Sequence, residues 1–245
     1  MKDIVIIGAG IAGLACGDWL RKRGIKTQIL EKSAGVAGRV ATRRAQGTWL
    51  DHGLTYLQTG TDPRYNAFVK ELLDCHVIQF WTESRFFLSV HGLANQLEDR
   101  PLFASPNGLN TIGKYLAQNQ HINYKTKVTE IKIKDDRWQI LTDQGEFRAD
   151  ILVMTPPAPQ TKELLMAGLS DYPQIITPLE HIKFSSTMSL LAGYHNSRSV
   201  PSDWEVIECR DSKVLQHLFL IVQNRTILVV LLWFYTAQQN LQRNT

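Results

Sequence analysis

The amino-terminal stretch of this 245-residue chain carries a glycine motif between an aliphatic run and a helical pattern. Residues 3–7 are rich in β-branched side chains, which is typical of a buried parallel strand. Gly8, Gly10 and Gly13 then follow with G-x-G-x-x-G spacing. Residues 11–23 place apolar side chains at helical spacing and end in basic residues before a glycine, which indicates a helix and its stop. This order restricts the chain to an α/β fold that opens with a βαβ unit.

A second strand is predicted over residues 26–30, and an acidic residue, Glu31, follows it directly. In sites of this type the glycines permit a tight turn, close approach of a pyrophosphate and packing of the helix on the strand. The N-terminus of the helix attracts phosphate, and a carboxylate after the second strand binds the adenosine ribose. Because Glu31 would repel a 2′-phosphate, NADP is disfavoured. The sequence therefore predicts a dinucleotide site, open at this point to NAD or FAD.

The segment after Glu31 helps to distinguish these two cofactors. Residues 32–39 (KSAGVAGR) form a second glycine-rich loop that ends in Arg39. An NAD enzyme of this fold usually enters another helix here, whereas a second loop beside the first suits a longer cofactor with a ring system. An arginine can also bind phosphate through two hydrogen bonds, and a solvated surface arginine is the alternative interpretation of Arg39. These features favour FAD, with an NAD-dependent dehydrogenase as the alternative.

Charge and cysteine content argue against several other classes of protein. The chain has 27 Lys and Arg residues against 23 Asp and Glu, a net charge of +4. Positive charge is concentrated in residues 1–50 and is not arranged as a basic stripe with aromatic residues, so we expect a small anionic ligand and no nucleic acid. The three cysteines, Cys16, Cys75 and Cys209, have no disulfide or zinc spacing, and the histidines show no metal spacing. We therefore expect no metal ion and a reducing, cytoplasmic location.

Two apolar runs need separate consideration because they resemble export or membrane segments. Residues 4–16 contain three glycines, which weaken a helical signal core. Residues 227–235 are continuously apolar but far shorter than the ~20 residues that a membrane helix needs. The second run is therefore predicted to be a buried strand, and no membrane partner is expected.

The remaining residues contain further predicted elements. Residues 33–61 lack periodicity and are predicted to form a long loop system with a short strand near Trp49. Asp62-Pro63 has the cap and first-turn proline that begin a helix. The aromatic-rich residues 77–103 are predicted to form strands of a second layer. Further strands are predicted at 127–133, 138–142, 147–154, 184–194 and 204–209, with helices near 108–118 and 160–167.

Several of these runs resemble a known family. The run 31–44 (EKSAGVAGRVATRR), followed by residues 51–53 (DHG), resembles the FAD-dependent amine oxidase group and is closest to its renalase-like bacterial flavoproteins. That family has a GGR-x-x-T-R-type loop followed by a DHGAQY-type loop. Residues 105–109 (SPNGL) and 149–160 also look like the family. The resemblance covers about residues 1–215 and is most specific in its N-terminal portion.

The resemblance implies a Rossmann-type FAD-binding domain interleaved with a sheet-rich substrate domain. The FAD-binding domain would comprise residues 1–60 and 106–168, and the substrate domain residues 61–105 and 169–245. The residues implied to contact the ADP half of FAD are Gly8, Gly10, Ala12, Gly13, Glu31, Lys32 and Arg39.

Three further contacts follow from the same resemblance. Thr55 and Tyr56 fall where the DHGAQY-type loop approaches the flavin, and the backbone of Val128 would touch adenine. Ala37 stands where the family usually has glycine. Nothing after Asp211 resembles the family's C-terminal glycine-rich segment, so we expect a C-terminally truncated relative.

The implied reaction is hydride transfer from a small reduced substrate to FAD, with reoxidation by oxygen and release of hydrogen peroxide. The substrate would be an amine or an off-pathway dihydronicotinamide isomer. Because the flavin performs the redox chemistry, no side chain is predicted to be catalytic. The expected truncation leaves one alternative of another class, a non-catalytic dinucleotide-binding remnant.

Overall fold

The computed structural model describes residues 2–45, 48–184, 186–195, 205–212, 215–223 and 226–235. In chain order the elements are β1 (Ile4–Ile7), α1 (Ile11–Arg21), β2 (Gln28–Leu30), β3 (Thr42–Ala45), β4 (Thr48–Asp51), β5 (Leu57–Gln58), α2 (Pro63–Asp74), β6 (Gln79–Ser89), β7 (Gly92–Ala104), α3 (Asn110–Leu116), β8 (His121–Asn123), β9 (Val128–Lys134), β10 (Arg137–Thr142), β11 (Gly145–Ala149), β12 (Ile151–Met154), α4 (Ala158–Leu169), α5 (Pro173–Glu180), β13 (Ser186–His195), β14 (Val206–Cys209), β15 (Leu215–Gln223) and β16 (Thr226–Tyr235).

The chain divides into two compact units, each built from two separate stretches of sequence. Unit 1 comprises Met1–Arg39 and Asn110–Lys183, and unit 2 comprises Val40–Leu109 and Phe184–Thr245. The first boundary thus follows Arg39, whereas the sequence places it at residue 60.

Unit 1 contains a parallel sheet with the strand order β12-β1-β2-β8. Strand β1 pairs in parallel with both β12 and β2, so it lies inside the sheet, and its side chains Val5, Ile6 and Ile7 are buried. This explains its continuous aliphatic sequence, because an interior parallel strand is covered on both faces. The predicted strand–helix–strand unit is confirmed, and the carboxyl ends of the four parallel strands share one edge.

A second sheet of unit 1 has the antiparallel order β11-β10-β9. The prediction of one strand over residues 147–154 is wrong, because this stretch forms β11 and β12 in two different sheets. Asp150 lies at the break: its Oδ2 accepts a 2.7 Å hydrogen bond from the backbone N–H of Asp3, and its Oδ1 lies 2.9 Å from Nε of Arg137. These contacts hold Asp150, the residue between β11 and β12, beside the start of β1. An apolar sequence pattern alone does not predict them.

Unit 2 contains a seven-stranded sheet with the order β13-β16-β15-β14-β6-β7-β5. The predicted aromatic-rich strands are confirmed as the antiparallel pair β6 and β7. The apolar run 227–235 lies in β16, which pairs with β13 on one side and β15 on the other and is thus an interior strand. In the stretches that the structure describes, no helix combines the length and the apolar character that crossing a membrane requires.

Unit 2 also contains two elements near its start that bear on the sequence prediction. The short strand predicted near Trp49 is confirmed as β4 (Thr48–Asp51). It pairs with Thr42–Ala45 as an antiparallel hairpin, β3–β4, so residues 33–61 contain one strand more in this region than the sequence predicts. The predicted helix start is confirmed: Oδ1 of Asp62 accepts hydrogen bonds from the backbone N–H groups of Arg64 and Tyr65, and Pro63 occupies the first turn of α2.

Candidate functional site

The glycine turn lies between the end of β1 and the start of α1, where the sequence predicts it. Gly8 has φ +98°, a left-handed conformation that favours glycine. A Cβ on Gly13 would lie 2.0 Å from the carbonyl oxygen of Gly8, so no side chain fits between the helix and the turn. A Cβ on Gly10 would meet no atom within 4 Å, so the space in front of Gly10 is open. The three glycines therefore differ in role as the motif predicts.

The N-terminus of α1 faces this open space without a capping side chain. Gly10 is its N-cap residue, and the first turn of this fully described helix carries no acidic residue. The first N–H groups of an α-helix have no partner inside the helix, and the helix dipole places partial positive charge beside them. Ala12 is exposed in this first turn. An anionic group of a ligand would satisfy these donors.

Glu31 follows β2 and is directed at the glycine turn. Its Oε2 accepts a 2.7 Å hydrogen bond from the backbone N–H of Ala9, and its Oε1 accepts another of 2.7 Å from that of Ser33. The side chain is buried, with 8% of its surface exposed. The backbone N–H of Glu31 also donates to the carbonyl of Asn123 at 2.9 Å, which fixes its position beside β8. The predicted ribose-binding carboxylate therefore lies at the carboxyl edge of the parallel sheet.

The second glycine-rich loop packs against the first. The backbone N–H of Ala37 donates a 2.9 Å hydrogen bond to the carbonyl of Ala9, and a Cβ on Gly38 would lie 3.1 Å from Cα of Gly10. Ala37 adopts φ +86° and is 1% exposed. Its methyl group faces α3, because a Cβ on Gly113 would approach it to 2.5 Å. Ala37 thus adopts a left-handed backbone conformation that favours glycine, the residue that the family usually has at this position. Its methyl group still leaves the space in front of Gly10 open.

The other predicted contacts of unit 1 differ in exposure. Lys32 and Arg39 are exposed. Val128 is buried, and its side chain belongs to an apolar cluster that includes Ile7 and Leu30. Only the backbone of Val128 is thus left for the predicted adenine contact, which stays a prediction.

Thr55 and Tyr56 lie in unit 2, immediately before β5. Thr55 is buried, whereas the Tyr56 ring packs against Trp81 and Phe219 with centroid distances of 6.5 and 5.9 Å. Their predicted approach to a flavin stays a prediction.

Sequence reasoning missed Thr155, which supports the glycine turn. Its hydroxyl donates a 2.7 Å hydrogen bond to the carbonyl of Ile7. The hydroxyl oxygen of Thr155 also lies close to both glycines. A Cβ added to Gly8 would lie 2.9 Å from this oxygen, and a Cβ added to Gly13 would lie 3.0 Å from it. A polar residue directly after the last parallel strand was the available signal, since that position faces the crevice at the strand ends.

We expect Thr155→Val to lower the free energy of unfolding by about 1 kcal/mol, because it removes one hydrogen bond and keeps the β-branched shape. The loss is modest because the Ile7 carbonyl also accepts the backbone N–H of Thr155 at 3.2 Å. Urea denaturation of the wild-type and Thr155→Val proteins measures this loss in the free energy of unfolding. Thr155→Ser retains the hydroxyl and should recover the hydrogen-bond contribution; if serine and valine were equally destabilising, the hydrogen bond would not be the cause.

Sequence reasoning also missed the structural role of Asp51, which it used only as part of a family motif. The Asp51 carboxylate is 2% exposed at the end of β4. It accepts the backbone N–H of Leu109 at 2.9 and 3.0 Å and the hydroxyl of Thr42. Burial raises its pKa to about 6, although these hydrogen bonds and the nearby charges of His52 and Arg44 oppose the rise. Asp51 thus connects the β3–β4 hairpin to Leu109, the last residue of the first stretch of unit 2.

Comparison with known proteins agrees with this geometry. The family model of the NAD(P)-binding Rossmann-like domain matches residues 6–72. Mouse (Mus musculus) renalase is 27% identical over 177 residues, which are 67% of this chain and 49% of renalase. The chain is thus similar in sequence to a renalase. It thus spans about half the length of this curated relative, and activity and substrate do not transfer with the similarity.

Solved structures support the same fold. A putrescine oxidase bound to putrescine matches with a TM-score of 0.72 and 13% identity, covering 95% of this chain and 75% of its own. A CLA-producing fatty acid isomerase from P. acnes matches with a TM-score of 0.75 and 15% identity, covering 97% of this chain and 78% of its own. At this level of identity the likeness shows a shared fold alone. The sequence match to renalase confirms the resemblance inferred from residues 31–53.

Proposed function

We propose that this amine oxidase-like protein binds FAD and acts as an oxidoreductase on a small reduced substrate. The observation that carries the proposal is the packing of the second glycine-rich loop on the glycine turn, through the hydrogen bond from Ala37 to Ala9. Two adjacent loops suit a cofactor with a long diphosphate-bearing chain and a ring system. A single turn would be enough for a shorter nucleotide.

The residues of unit 1 fit the ADP half of this cofactor in chemistry. The uncapped N-terminus of α1 and the open space at Gly10 suit a pyrophosphate, which needs N–H donors and no side chain in the way. Glu31 has acceptor oxygens for the ribose hydroxyls. Arg39 is exposed at the end of the second loop, and a guanidinium can bind a phosphate through two hydrogen bonds.

The proposed reaction is oxidation of an amine or a dihydronicotinamide isomer. When bound, FAD would supply the redox chemistry: it would accept a hydride from the substrate and would be reoxidised by oxygen, which takes up two electrons and two protons, one of them from solvent, and becomes hydrogen peroxide. The chain's own residues bind and orient the cofactor, and no side chain is assigned an acid or base role. Thr55 and Tyr56 are the proposed neighbours of the flavin in unit 2.

The visible absorption spectrum of the purified protein tests this proposal. Near-stoichiometric flavin bands that bleach on addition of a reductant are expected, together with peroxide formation from a suitable substrate. A colourless protein that does not take up added FAD would overturn the proposal. If such a protein bound NAD in a calorimetric titration, the site would belong to an NAD-dependent dehydrogenase, and binding of neither would identify a non-catalytic remnant.

A further inference from the structure

The seven-stranded sheet of unit 2 ends on one side at β13 (Ser186–His195). This strand pairs with β16 over its whole length, from the pair Ser186–Tyr235 to the pair His195–Thr226. In the sheet order it has no second neighbour among the strands that the structure describes. The outer edge of β13 therefore presents a row of backbone N–H and C=O groups with which another strand can pair.

The opposite end of the same sheet is protected against such pairing. The last strand there, β5, has two residues and pairs with Leu102 and Phe103 of β7. Immediately before these two residues, the sequence of β7 reads EDRP at positions 98–101. Short edge strands, charged side chains and proline, which lacks an N–H donor, all discourage the association of sheet edges. This edge of the sheet thus has the sequence of one that faces water.

Strand β13 has none of these protective features. Its sequence, STMSLLAGYH, contains no Lys, Arg, Asp, Glu or Pro residue. A long, uncharged edge strand is the kind of strand that pairs with another chain. The contrast between the two ends of one sheet therefore indicates that β13 is an interface.

One face of β13 also exposes large apolar side chains. Met188 and Leu190 are 59% and 61% exposed, and because they are two positions apart they project from the same face of the sheet. The other face is turned toward the rest of unit 2. There the hydroxyl of Ser189 donates a 2.7 Å hydrogen bond to the carbonyl of His52, and Leu191 packs against a buried apolar cluster. A strand added at this edge would thus gain apolar contacts beside Met188 and Leu190.

A second copy of β13 meets these requirements by symmetry. When two identical strands pair antiparallel about a two-fold axis at Ser189, Met188 of each copy lies opposite Leu190 of the other. Both of these pairs lie on the exposed face, where directly opposite side chains are close enough to make contact. No like charges meet along the paired strands, because β13 carries no charged side chain.

We propose that this protein forms a two-fold symmetric dimer in which β13 of one copy pairs antiparallel with β13 of the other, with Met188 opposite Leu190. The paired segment runs from Ser186 to Ala192 in each copy, and the two seven-stranded sheets become one continuous sheet. The pairing uses backbone groups and apolar side chains of unit 2 alone. It is therefore independent of flavin binding and of the proposed oxidoreductase function.

Sedimentation of the 245-residue chain at several concentrations tests the proposal. The wild type is expected to be dimeric at about 100 μM. Met188→Lys and Leu190→Glu should each weaken dimerisation at least about ten-fold, because the two-fold axis places the change in both apolar pairs of the dimer. Met166→Lys is the matched control. Met166 is 49% exposed on α4 in unit 1, so its replacement should leave the dimerisation constant within about two-fold of wild type.

Mixing the two weakened variants tests the register directly. In a mixed dimer the new lysine and the new glutamate lie opposite each other, and the remaining leucine and methionine form the second pair. An equimolar mixture should therefore dimerise at least about ten-fold more tightly than either variant alone, which a misfolded chain could not do. A wild type that stays monomeric at about 100 μM would overturn the proposal. So would variants that dimerise as tightly as wild type, or a mixture that associates no better than its components.

Discussion

Replacing Gly13 with alanine is expected to lower the free energy of unfolding by about 3 kcal/mol and to abolish dinucleotide binding. The added Cβ would lie 2.0 Å from the backbone oxygen of Gly8 and 3.0 Å from the hydroxyl oxygen of Thr155. The first contact is with backbone, so α1 would have to move away from β1 to accept the methyl group. Chemical denaturation measures the loss of stability, and titration with FAD measures the loss of binding.

Gly10→Ala is the matched control, because the same methyl group enters open space. No atom lies within 4 Å of its Cβ, and Gly10 already has φ −72°, which alanine adopts without strain. We expect the free energy of unfolding to change by less than about 0.5 kcal/mol. FAD affinity should fall at least about ten-fold, because the added methyl group would lie where the pyrophosphate would approach. Retained FAD binding in the Gly10 variant would place the cofactor elsewhere, and a Gly13 variant as stable as wild type would contradict the packing of α1 on the turn.

The second large effect concerns the dependence of stability on pH through Asp51. The folded-state pKa of this carboxyl is about 6, against 3.8 as its ordinary value. The folded protein therefore holds the proton more strongly than the unfolded chain between these pH values. The stabilisation is fully present below pH 3.8 and is lost as the pH rises through about 6. At 1.36 kcal/mol for each pKa unit it amounts to up to about 3 kcal/mol.

Asp51→Asn should remove this contribution to the pH profile. The amide oxygen still accepts the N–H of Leu109, but the side chain no longer titrates. The difference in unfolding free energy between wild type and variant should therefore change by up to about 3 kcal/mol between pH 4 and pH 7, in favour of the variant at the higher pH. Urea denaturation at several pH values measures this difference, in which other titrating groups cancel. Parallel profiles for the two proteins would show that Asp51 does not titrate in this range.

Local sequence was sufficient to predict the part of the site that local geometry determines. Glycine spacing after an aliphatic run predicts the turn between β1 and α1, and the end of the second strand predicts that Glu31 lies at the edge of the sheet beside this turn. These features lie within one continuous stretch, so neighbouring residues fix their relation. The same holds for α2, where Asp62 caps its own helix.

Features that depend on distant strand pairing could not be predicted in the same way. The break at Asp150 follows from contacts with Asp3 and Arg137, which are far apart in sequence. The parallel pairing of β6 with β14 also joins residues that are distant in sequence, and neither strand carries a motif that identifies its partner. An apolar pattern indicates that a strand is buried, but it leaves open which strand lies beside it.

The interleaving of the two units has a consequence for biosynthesis. The first sheet needs residues 151–154 beside residues 4–7, and the second needs residues 206–209 beside residues 86–88. A nascent chain leaving the ribosome therefore carries its aliphatic first strand with one edge unpaired until residues 151–154 have been made. Because an unpaired strand edge can pair with another chain, we expect this late closure of long loops to slow folding and to favour aggregation during synthesis.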